Sequence, residues 1–65
     1  MFSDVSYIVR FYMNGTYSDE VWHNTQEEAQ EHLEMFGDVD GYSAIEIVRY
    51  DWIKREEKQI DVKTF

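Results

Sequence analysis

A chain of 65 residues with no cysteine has room for one domain, residues 1–65, and a thin core that no disulfide or thiolate-bound metal can staple. Its net charge of −8 argues against direct contact with nucleic acid or an anionic membrane. No apolar run reaches the roughly 18 residues of a membrane helix, and Met1-Phe2-Ser3-Asp4 lacks the basic start and apolar run of a signal peptide, so a cytosolic protein is expected.

From the N-terminus, Val5 to Met13 alternates as a strand, with Val5, Tyr7, Val9, Phe11 and Met13 on one side and Ser6, Ile8, Arg10 and Tyr12 on the other. Asn14-Gly15 follows, the dipeptide suited to a type I′ turn because both of its central residues need positive φ. The second strand is Thr16 to His23. A plain two-residue loop then sets Met13 opposite Thr16, Arg10 opposite Asp19, Ile8 opposite Val21 and Tyr7 opposite Trp22. Both faces of this hairpin carry large apolar groups. With aromatic residues at 17%, more than a small core hides, one face is expected to meet a helix and the other a second copy, giving a homodimer.

The helix lies within Asn24 to Gly37. Asn24 and Thr25 are both N-cap residues with a Glu three positions on, Glu27 or Glu28, so either register makes a capping box. Ala29, Leu33 and Phe36 form one apolar stripe, and Gly37 can close the helix in the left-handed conformation. Asp38-Val39-Asp40-Gly41 is a turn by composition. Tyr42 to Ile53 is the next strand, with Ile45 and Ile47 on one face and Val48, Tyr50 and Trp52 on the other. Lys54 to Lys58 is a charged connection or tip, and Ile60 to Phe65 a last edge strand that Lys58 and Lys63 protect from further pairing. The order β-β-α-β-β makes an α+β domain: one helix across a small antiparallel sheet.

No constellation supports catalysis. His23 and His32 have no nucleophile beside them and no third ligand at motif spacing, although His32 and Glu28 at i, i+4 are half of a metal pair; both read as surface or strand-end residues. Ser18-Asp19-Glu20 near His23 has the letters of a hydrolase without its strained turn or oxyanion donors. Asp38-Val39-Asp40 starts like a calcium loop, but the later bidentate Glu is missing and Gly41 comes too early. At the basic end, Arg49, Lys54, Arg55 and Lys58 are offset by Asp51, Glu56, Glu57 and Asp61, so a solvated hairpin tip is preferred to a single-strand-binding surface. No enzyme activity, metal or cofactor is expected.

The acidic helix face is the remaining feature. Glu27, Glu28, Glu31 and Glu34 have no Lys or Arg at i+4, and no Lys or Arg occurs anywhere between Arg10 and Arg49. The acids continue into Asp38 and Asp40 and back into Asp19 and Glu20. A solvated helix is the ordinary explanation. Such self-repulsion nevertheless costs stability in a domain with little to spare, and a row of carboxylates can replace a row of phosphates in a basic groove. Glu34 stands out because it lies near the negative end of the helix dipole.

These residues resemble the small phage-encoded inhibitors of uracil-DNA glycosylase of the dimeric, phi29-like type. The resemblance runs from Val5 to Ile53 in order and spacing, through Asn14-Gly15, the strand closing at His23, Leu33-Glu34-Met35-Phe36-Gly37 and Val48-Arg49-Tyr50-Asp51-Trp52-Ile53. It implies a non-enzymatic DNA mimic, a dimer whose apolar groove captures a DNA-probing loop behind a rim of carboxylates. Carried onto this chain, the apolar–acid pair is Leu33-Glu34, the aromatic before Gly is Phe36, and the strand acid near His23 is Glu20, one position shifted. The helix-end motif is one residue shorter than the family's, and the chain extends past Ile53. The expected partner-binding residues are therefore Glu20, Glu27, Glu28, Glu31, Leu33, Glu34, Phe36 and Asp38, and the expected site of action is the host cytoplasm. Related acidic phage proteins block RNA polymerase or CRISPR effectors. A plain oligomerisation or adaptor module, with the aromatics making the contact, is the alternative of a different class.

Overall fold

The computed structural model describes residues 4–65, without the side chain of Asp38; the reading of residues 1–3 lies outside the described residues. The elements are β1 (Val5–Met13), β2 (Thr16–His23), α1 (Gln26–Met35), a 3-10 turn (Asp38–Asp40), β3 (Ala44–Asp51) and β4 (Glu56–Thr64). The strands form one antiparallel sheet in the order β2-β1-β3-β4, and α1 packs across one face. This is the α+β arrangement expected from the order of the elements. Val9 and Phe11 from β1, Ile45 and Ile47 from β3, and Ala29 and Leu33 from α1 make the buried core, with Tyr7, Val21, Phe36, Tyr42 and Ile60 around it.

The first turn is as its residues dictate: Asn14 and Gly15 have φ of 53° and 76°, and the Gly15 amide donates to Ser43 Oγ at 2.9 Å. Beyond it the register departs from the simple count. Tyr12 pairs with Tyr17, but Phe11 pairs with Asp19, so Ser18 is the extra residue of a β-bulge. Arg10 therefore faces Glu20 rather than Asp19, Ile8 faces Trp22, and Tyr7 faces His23. A one-residue slip exchanges the two faces of a strand. Here it turns Val21 toward the core and leaves Trp22 on the open face, where an indole can keep its N–H satisfied.

α1 starts at the Thr25 cap, whose Oγ1 accepts from the Glu28 amide at 3.3 Å. It ends differently from the expected glycine closure. Phe36 is extended (φ −113°, ψ 148°), its N–H still donating to the His32 carbonyl at 3.1 Å, and Gly37 is not among the residues with positive φ. Lys63 from β4 donates to the Leu33 carbonyl at 3.3 Å and supplies the cap. The extended Phe36 returns its ring to the core, edge-on to Phe11 at 5.7 Å.

β3 is shorter than Tyr42–Ile53 at both ends, and β4 is longer than Ile60–Phe65, beginning at Glu56. Asp51 ends β3 by accepting through Oδ1 from the Ile53 and Lys54 amides at 2.9 and 3.0 Å. Glu56, Glu57 and Lys58, expected in the charged connection or tip of Lys54 to Lys58, instead pair with Asp51 back to Arg49, and Gln59 pairs with Val48. A second bulge, at Ile60, follows between the pairs Val48–Gln59 and Ile47–Asp61.

Candidate interaction surfaces

Three surfaces gather the chemistry-bearing side chains. The first is the outer side of α1, where Gln26, Glu27, Gln30, Glu31 and Glu34 border a shallow open depression. Glu27, Glu31 and Glu34 fall at i, i+4 and i+7, a row about 10 Å long at 1.5 Å per residue, and all three are exposed. Among the described residues none of the three has an ion pair. Lys63 of β4, which reaches the end of α1, donates to the Leu33 carbonyl and lies 5.4 Å from the Phe65 ring centre. Gln30 donates to Asp61 at 3.2 Å, which adds a fourth carboxylate beside the row.

The second surface is the sheet face opposite the helix. At one end Trp22, Tyr50 and Trp52 pack together, with ring centres 4.8 to 6.0 Å apart, over the buried Ile8 and Val48. Trp22 and Trp52 are 44% and 48% exposed, so about half of each large ring surface meets solvent. Their indole N–H groups are satisfied by Glu20 at 2.7 Å and Ser6 at 2.8 Å. Beside this cluster the Arg10 guanidinium grips Glu57, the strand partner of Tyr50, through two bonds, 2.7 and 3.3 Å, with Glu20 at 3.6 Å. Glu46 accepts from Tyr12 Oη and Gln59 Nε2, both at 2.9 Å. The bond from Arg10 holds the Glu57 carboxyl below its ordinary range, and the same bond raises Arg10. Donation to Glu46 raises Tyr12.

The third is a histidine pair between β2 and α1. His23 Nε2 and His32 Nε2 are 2.7 Å apart, and His23 Nδ1 lies 3.3 Å from Glu28 Oε2. Phe36 stacks on His32 with 13° between the rings, and Phe11 meets it edge-on. Burial, and then the neighbouring His23, lower the His32 pKa from its ordinary value. Among the described residues no group of three or more His, Asp or Glu is placed to hold a metal ion.

The residues singled out from the sequence therefore divide. Glu27, Glu31 and Glu34 share one surface. Glu28 belongs to the cap and the histidine pair, accepting from Thr25 Oγ1 at 3.1 Å as well as from His23. Glu20 lies on the far side of the sheet, beside Trp22 and Arg10. Leu33 is core at 6% exposure, and Phe36 lies at the core's edge. Asp38 lies in the turn after α1, and its side chain is outside the described part. Sequence reasoning did not foresee the histidine contact or the Arg10–Glu57 fork. The partners are 9 and 47 residues apart, and no local pattern links them.

No helix among the described residues is long and apolar enough to cross a membrane. Compared with family models, curated proteins and solved structures, the chain shows no match.

Proposed function

We propose that this chain is a non-enzymatic inhibitor that offers carboxylates in place of phosphates and occupies the basic groove of a host nucleic-acid-processing enzyme. The observation that carries the reading is the exposed row Glu27, Glu31, Glu34, which has no ion pair among the described residues although the chain has six basic residues. Like charges at helical neighbour spacing cost stability, and a cationic partner removes that cost while steering association. The target implied by the resemblance is uracil-DNA glycosylase in the host cytoplasm. RNA polymerase and CRISPR effectors are the rival targets. The reading requires no cofactor and no direct contact with nucleic acid.

The test is uracil excision by a bacterial glycosylase, titrated with the wild type and with the triple variant Glu27→Gln, Glu31→Gln, Glu34→Gln. Inhibition by the wild type is expected to weaken steeply as salt shortens the screening length from about 10 Å at 0.1 M. The variant is expected to associate more slowly at low salt while folding at least as stably. No inhibition at large excess removes the glycosylase as target. Equal inhibition by wild type and variant removes the helix row as the binding surface.

A second reading rests on a different observation, the half-exposed Trp22, Tyr50 and Trp52 cluster. A second copy seated there makes a homodimer, or an adaptor module in which the aromatics carry the contact and the acids confer solubility. Light scattering at tens of micromolar, an order of magnitude matched to micromolar affinity, distinguishes dimer from monomer. A dimer that persists in high salt and dissociates on Trp22→Ser with Trp52→Ser supports this reading; a wild-type monomer refutes it.

A further inference from the structure

His23 closes β2 and His32 lies on the inner half of α1, so their contact ties the helix to an edge strand. The proton inventory of that contact follows from its neighbours. The Glu28 carboxylate accepts only, so His23 Nδ1 carries a proton toward it at 3.3 Å. In the neutral ring His23 Nε2 is then the acceptor, and the 2.7 Å separation is an N–H···N bond donated by His32 Nε2. One nitrogen remains, His32 Nδ1, which is buried and has no hydrogen-bond partner among the described residues.

An added proton has nowhere favourable to go. On His23 Nε2 it places two hydrogens between nitrogens 2.7 Å apart and breaks the bond. On His32 Nδ1 it buries a charged N–H with no acceptor among the described residues, beside the Phe36 and Phe11 rings. The other titratable groups do not relieve this. On α1, Glu28 already serves His23, and Glu31 is an exposed acid that favours the charged His32 only weakly beside burial and His23. Tyr7 of β1 is the strand partner of His23 and pairs on its other side with Arg49 of β3, a further cation on this face. Asp19 of β2 is exposed opposite Phe11, Tyr42 packs on Phe11 and Phe36, and Lys63 of β4 is held at the Leu33 carbonyl.

We propose that the His23–His32 pair is a proton-sensitive clasp, which fastens α1 to β2 when both imidazoles are neutral and releases the helix when the pair takes up a proton. This does not depend on the proposed inhibitor function, although release would disperse the acidic row that α1 carries.

The test uses the intact wild-type chain between pH 8 and 5, with nitrogen-detected NMR of both imidazoles and amide exchange of α1. At neutral pH the expected tautomers are Nδ1–H for His23 and Nε2–H for His32. Below about pH 6.5, the ordinary histidine value, exchange protection of Ala29 and Leu33, corrected for intrinsic rate, is expected to fall roughly tenfold per pH unit. In His32→Gln that pH dependence should vanish. Two imidazoles that titrate independently near 6.5, or wild-type α1 protection that is constant across this range, overturn the proposal. The wild-type result decides the question even if the variant does not fold.

Discussion

Leu33 and Glu34 are chain neighbours with opposite surroundings, and each should answer differently to substitution. Leu33 is buried in one core cluster with Val9, Phe11, Ala29, Ile45 and Ile47. Leu33→Ala leaves a cavity and is expected to lower unfolding free energy by roughly 2–5 kcal/mol in denaturant titrations. Glu34 is exposed near the negative end of α1, with no ion pair among the described residues. Glu34→Gln is expected to keep or raise the melting temperature. If the helix row binds the target, it should weaken inhibition by about tenfold, as loss of one charge-assisted contact of ~1.5–3 kcal/mol would. Phe36 was legible as part of the apolar stripe, and it does reach the core. It does so from an extended residue beyond the helix, because Lys63 caps the carbonyl that a left-handed glycine would otherwise have served.

Among the elements, the β1–β2 hairpin carries the most specific test. Ser18 is the extra residue in the bulge, so deleting it straightens the pair and still leaves Arg10 opposite Glu20 and Ile8 opposite Trp22. The deletion should therefore fold, with a stability change of roughly 1 kcal/mol or less, the range of an exposed change that leaves core contacts intact. Tryptophan fluorescence should stay close to wild type, because Trp22 remains against Trp52. An unfolded deletion variant would show that the bulge itself, rather than the facing it produces, is required. α1 has a different character: its start is set by its own Thr25 cap, its end by a strand about 30 residues later.

At the scale of the whole molecule, acid should unfold the domain in two stages. His32 has a folded pKa below its ordinary value, so the unfolded chain takes up the proton first. Stability begins to fall as pH drops below about 6.5. Glu57 is lowered by its bond from Arg10, and Asp51 chiefly by the backbone amide of Lys54 and then that of Ile53. Stability from those two carboxylates is present above the ordinary carboxylate range, about 4, and is lost as pH falls through their lower folded values. Tyr12 adds an alkaline limit, because its folded pKa is raised and the unfolded chain ionises first above about 10. Melting temperature measured from pH 8 to 3 should show the early shallow loss in wild type and lack it in His32→Gln. An early loss that survives in the variant would assign that stage to other groups. Added salt at pH 7 should raise the melting temperature, since it screens the repulsion within a chain of net charge −8.

The sequence by itself determined whatever depends on neighbours a few residues apart. Asn14-Gly15 dictates its turn, Asn24-Thr25 with Glu27 and Glu28 the helix start to within one residue, alternation the strand faces of β3, and the spacing of Glu27, Glu31 and Glu34 a shared exposed side. Together these specify one helix across an antiparallel sheet. Tertiary structure alone decided the bulge at Ser18, the early start of β4, the cap from Lys63, the partner of Arg10 and the meeting of His23 with His32. Each of these depends on which strand lies next to which and on how volume is shared across the sheet. A register shift of one residue exchanges the faces of a strand while leaving its local pattern unchanged. Local chemistry therefore marks Glu20 and Glu27 as acids of one kind, and only the packed sheet separates them onto opposite sides of the molecule.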